Sequence, residues 1–101
     1  MVEPSLIIEL SFTFWSVPAS KGMYKKQRGR VTKDYTRIAY ARYTVFRLLI
    51  DSPQWNIRKL AELFEMDERS IYIGIDKVNA AKCDSELYQK YHAIVNRINE
   101  T

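Results

Sequence analysis

A small, single-domain all-α fold is what this sequence predicts, on three observations. Apolar residues recur at helical spacing through most of the chain from Tyr35 to Ile98. Asp, Asn and Ser residues suited to helix capping stand directly ahead of those runs. The 101 residues, 47% apolar and 13% aromatic, suffice for one buried core, whereas chains divide into further domains only at about 250–300 residues.

The first segment, Leu6 to Trp15, is ambiguous on its own residues. Leu6, Ile8, Leu10, Phe12 and Phe14 alternate with Glu9, Ser11 and Thr13, the period-2 pattern of a strand. Pro4-Ser5 is equally a helix opening, and an isolated strand needs a partner that nothing later in the chain supplies. Ser16 to Lys33, with Pro18, Gly22, Gly29 and small polar residues, reads as loop or short irregular helix.

Asp34 to Ile50 is predicted as a helix capped by Asp34, with Tyr35, Ile38, Ala39, Arg42, Val45, Phe46 and Leu49 at helical spacing and Pro53 beyond its end. Arg37, Arg42 and Arg47 stand five apart, turn about 140° each and cannot share one face. Asn56 caps a short helix to Phe64, with Ile57, Leu60, Ala61 and Phe64 on one side. Asp67 caps a helix running to about Lys82, with Ile71, Ile75 and Val78 inward. Asp84 or Ser85 then caps a C-terminal helix, about 84–99, with Leu87, Tyr91, Ile94, Val95 and Ile98 in one stripe that either closes the core or forms a seam to a second copy or another protein.

The net charge of +4, from 16 Lys and Arg against 12 Asp and Glu, is unevenly spread. Residues 1–50 hold nine basic and three acidic side chains, and residues 51–101 hold seven and nine. No acid occurs from Leu10 to Lys33, where Lys21, Lys25, Lys26, Arg28, Arg30 and Lys33 cluster. Such a stretch is the electrostatic footprint of a polyanion binder, most often of nucleic acid or an anionic surface.

Other classes are not expected. No apolar run approaches the ~18–20 residues of a membrane-spanning helix, and Glu3 and Glu9 stand where a secretory signal would be basic. Cys83 is alone, which excludes a disulfide framework and a Cys-rich zinc site. One His, one Cys and three scattered Gly offer no catalytic residues, no metal ligands and no phosphate-cradling loop for a cofactor. His92 and Cys83 read as surface or packing residues, and the tyrosines other than Tyr24 and Tyr72 as core or half-buried. The expectation is a cytosolic binding module, not an enzyme.

The run from Asn56 to Tyr72 has the organisation of a helix-turn-helix, with the whole motif at about 56–82. Ala61 is small where the second helix crosses the first, Leu60, Phe64 and Met66 anchor the pair, and Ile71 and Ile75 seat the second helix. Its exposed side would offer Arg69, Ser70, Tyr72, Ile73 and Lys77 to base edges and phosphates in a major groove. Glu62, Glu65, Asp67 and Glu68 crowd the approach, and Glu65 stands where such turns often have Gly.

From about Leu6 to Val78 the chain resembles the C-terminal DNA-binding domain of the bacterial replication initiator DnaA. The resemblance is carried by the basic stretch Lys25-Lys26-Gln27-Arg28-Gly29-Arg30-Val31, by Arg37-Ile38-Ala39-Tyr40 with Arg42, by Ile57-Arg58-Lys59-Leu60-Ala61 with Phe64, and by Ser70-Ile71 and Lys77-Val78. At the family's Gly-Gly-Arg-Asp-His-Thr-Thr this chain has Glu65-Met66-Asp67-Glu68-Arg69-Ser70-Ile71, so the resemblance carries the fold further than the target sequence. It implies a helix for the opening segment. It also implies that the basic loop, 21–33, reaches the minor groove while the recognition helix occupies the major groove.

On that reading Arg28 or Arg30 enters the minor groove, Lys21, Lys25, Lys26 and Lys33 meet phosphates, and Arg37 joins the contacts to double-stranded DNA. The family's nucleotide-hydrolysing domain has no room in 101 residues, so an ATP-driven initiator is not expected. A transcriptional regulator, or a replication or packaging accessory of a phage or mobile element, fits these features. A protein-interaction or virion structural module that keeps the fold without DNA binding is the alternative, favoured by the acidic turn.

Overall fold

The computed structural model describes residues 3–17 and 35–100, and every regular element among them is an α-helix. In chain order these are α1 (Pro4–Phe14), α2 (Tyr35–Ile50), α3 (Ile57–Phe64), α4 (Glu68–Asn79) and α5 (Glu86–Asn99). The expected cap Asp34 and the basic stretch from Lys21 to Lys33 lie outside the described residues.

The alternating opening segment forms a helix, α1. Its buried residues, Ile7, Ser11 and Phe12, continue to Trp15 as a helical stripe. The strand pattern arose because this stripe contains a serine while Leu6, Ile8 and Phe14 outside it are apolar. Ser11 Oγ is buried and has no hydrogen-bond partner among the described residues. Pro4 suits the first helical position, where its missing N–H is one of the donors a helix leaves unpaired.

α1 and α3 end alike. Val17 N–H donates to Phe12 C=O and Ser16 N–H to Thr13 C=O; Met66 N–H donates to Ala61 C=O and Glu65 N–H to Glu62 C=O. Both are Schellman closures, with Ser16 (φ 56°) and Glu65 (φ 53°) in the left-handed region that glycine favours. Val17 and Met66 pack onto the core just after each turn, the apolar contact that accompanies this motif.

α2 is the hub, packing most extensively on α4 and α1 and also touching α5. Ala41, Val45, Phe46 and Leu49 are buried, and Arg42 lies on the same buried side. A row of ring contacts runs from Trp15 through Tyr40, Tyr43 and Phe46 to Phe64, with centroid separations of 5.4, 5.9, 6.3 and 4.9 Å. Trp15 Nε1 donates to Thr44 Oγ1 at 3.2 Å, and Thr44 Oγ1 donates to Tyr40 C=O at 2.9 Å, so these buried polar groups are satisfied.

α5 closes the core with Leu87 and Ile94 buried and Tyr91 and Ile98 packed against it, facing α1, α2 and α4. Its Lys90 joins the two ends of the chain. The ammonium donates to Phe14 C=O at 2.7 Å and lies 5.0 Å from the Trp15 ring centroid. A cation there meets both the negative end of α1 and a π-face. Ser85, rather than Asp84, caps α5, accepting from Tyr88 N–H.

α4 stops at Asn79, short of the expected Lys82. The Lys82 carbonyl is taken by Ser85, whose N–H and hydroxyl both donate to it, and that turn redirects the chain into α5. No helix among the described residues is long and apolar enough to cross a membrane.

Candidate nucleic-acid interface

Three residues, Glu65, Met66 and Asp67, connect α3 to α4, and each end of the connection is closed by sequence-encoded chemistry. The Schellman turn stops α3 at Phe64. Asp67 starts α4, its carboxylate accepting from Ser70 N–H at 2.7 Å. The Ser70 hydroxyl and N–H hold the Asp67 carboxyl below its ordinary pKa. At the start of α3, Asn56 Oδ1 accepts from Lys59 N–H at 2.9 Å, so both helices carry the caps their sequences predict.

The inner side of α4 is Ile71, Gly74 and Val78, all buried. Gly74 lets the helix lie close on α2: a Cβ there would stand 2.5 Å from Tyr43 Cδ1 and 2.9 Å from Phe46 Cδ2. The far end of α4 is tied to the same helix. Arg47 Nε donates to Asn79 Oδ1 at 2.8 Å while its Nη1 meets Asp51 Oδ2 at 2.7 Å, a bond that raises the Arg47 pKa. The i,i+4 ion pair is worth only a few tenths of a kcal/mol. The geometric effect is larger, because it aims the guanidinium at Asn79.

That seating turns Arg69, Tyr72, Ile73, Asp76 and Lys77 outward, and all five are exposed. They stand at i, i+3, i+4, i+7 and i+8 and so form one face. From Arg69 to Lys77 this face is about 12 Å long, comparable to the width of a B-form major groove. Ser70, expected beside them, lies at the edge, half-buried and engaged with Asp67.

Arg37 is exposed on the first turns of α2, Arg42 is buried and Arg47 is paired, so these arginines do not share a face. Lys21, Lys25, Lys26, Arg28, Arg30 and Lys33 lie outside the described residues.

Three exposed residues were missed from sequence. Asp76 belongs to the α4 face, which counting from Arg69 at helical spacing reveals. Arg58 and Lys59 are exposed on α3. Arg58 lies 3.5 Å from Glu62 in a solvated pair, and Lys59 Nζ donates to Gln54 C=O. Their adjacency to the motif was the available signal.

Glu62, Glu65, Asp67 and Glu68 are all exposed around the turn. Asp67 and Glu68 favour the positive N-terminus of α4. The two remaining carboxylates face solvent, with Glu62 shared with Arg58. Set beside protein-family models, curated proteins and solved structures, the chain matches none of them.

Proposed function

We propose that this chain binds duplex DNA, using α3 and α4 as a helix-turn-helix and the basic stretch from Lys21 to Lys33 as a second, sequence-independent contact. The observation that carries the reading is the α4 face itself. A short, capped turn and a glycine-seated helix hold Arg69, Tyr72, Ile73, Asp76 and Lys77 together in solvent. Donors, an acceptor and apolar groups in one row are what base edges require. The resemblance to the initiator's C-terminal domain supports the same assignment, with Arg28 or Arg30 in the minor groove. Arg58 and Lys59 would meet the sugar-phosphate backbone as the first helix crosses it.

The second reading, a protein-interaction module, is favoured by the carboxylates of Glu62, Glu65 and Glu68, which repel phosphate. Binding to duplex DNA at low salt separates the two, and a pair of substitutions then tests the division of roles. Arg28→Ala with Arg30→Ala should weaken binding to every duplex and flatten the salt dependence by about two units. Arg69→Ala should instead change the preference between sequences, costing about 1–3 kcal/mol on the preferred one. Equal effects of the two changes on all duplexes would refute this division of roles.

A further inference from the structure

The outward face of α4 is chemically unusual at its centre. Among the described residues three large apolar side chains are exposed, Leu6, Tyr72 (56%) and Ile73 (43%), and two of them are neighbours here. Arg69 precedes the pair by one helical turn and Lys77 follows it by one, while Asp76 flanks it on the same face. None of these five side chains is needed by the core, which α4 meets through Ile71, Gly74 and Val78 with Ile75 packed beside them. Two apolar side chains bracketed by cations are too few for the apolar centre of a stable protein interface, which draws on some 20–30 residues a side.

In a major groove the arrangement has a specific complement. Thymine is the base that presents a methyl group there, and apolar side chains recognise it by contact. A carboxylate accepts from an exocyclic amino group and is repelled by the two acceptors of guanine. We infer that α4 reads thymine methyl groups through Tyr72 and Ile73, with Asp76 accepting from the amino group of an adjacent cytosine or adenine. The inference rests on the duplex-binding reading and narrows it to a base chemistry. Arg69 then meets a purine edge at one end of the row and Lys77 a phosphate at the other, and the stiff β-branched Ile73 meets its methyl at little entropic cost.

The test is made on the full chain with a duplex selected from a random pool. Each thymine in that duplex is replaced in turn by deoxyuridine, which differs only in lacking the methyl. Affinity should fall about fourfold for each contacted methyl removed, the value of one buried methyl-sized group. Tyr72→Ala with Ile73→Ala should bring the thymine-to-uracil ratio to about one with an unchanged melting temperature, because both residues are exposed. Lys77→Ala should lower both affinities and keep the ratio.

Equal binding of the thymine and uracil duplexes overturns the inference and leaves duplex binding standing. Binding to no duplex at low salt overturns both. Self-association of the chain that Tyr72→Ala abolishes assigns the patch to a second copy and likewise overturns it.

Discussion

Glu65 occupies the left-handed region at φ 53° in the turn that aims α4. An L-residue pays roughly 1–2 kcal/mol there, and glycine avoids that at the cost of a more flexible unfolded chain. Glu65→Gly should therefore stabilise the fold by about 0.5–1 kcal/mol, seen as a melting temperature raised by several degrees. The same change removes a carboxylate beside the proposed groove contact and should strengthen duplex binding. A lower melting temperature would contradict the assigned backbone conformation. The sequence flagged this position as one where glycine is usual, but only the closed turn shows that glutamate bears the strain. Lys90 shows the opposite limit. Its bond to Phe14 C=O spans 76 positions, and no local pattern announces it.

At the scale of elements, α4 depends on its cap and its glycine. Asp67 has a folded pKa below the ordinary value, so the stability it contributes is full above the carboxylate range and is lost as the pH falls through the folded pKa. Asp67→Ala should lower the melting temperature at pH 7 by a few degrees, and the gap to the parent should close below about pH 4. Asp67→Asn, an equally good cap, should keep most of the stability at pH 7. Gly74→Ala gains about 1 kcal/mol of helix propensity but drives a methyl into the Tyr43 and Phe46 rings. Overpacking wins, and a net loss of about 1–2 kcal/mol should appear in chemical denaturation. The three later helices were legible because Asn56, Asp67 and Ser85 are strong caps followed by 3.6-residue stripes. α1 was not legible by periodicity, since Ser11 sits in its buried stripe and apolar residues surround it. Helical spacing also placed Arg69, Tyr72, Ile73 and Lys77 on one face correctly, while the engagement of Ser70 with the cap became visible only with the turn in place.

At the scale of the molecule, α2 gathers the other helices around one aromatic row, and α5 returns to fasten Lys90 over Trp15. This frame presents α4 from the acidic half of the chain, while the positive charge belongs to the first half, concentrated between Lys21 and Lys33. Affinity and base preference then come from different parts of the chain. Binding of the full chain to random and selected duplexes across a salt series tests that division directly. Binding to both is expected at low salt, with a slope of log affinity against log salt of about −5 from the six cations between Lys21 and Lys33, steeper by about one for each further phosphate contact, and an advantage for the selected duplex that persists as salt rises. Absence of binding to any duplex at low salt would contradict the duplex-binding reading.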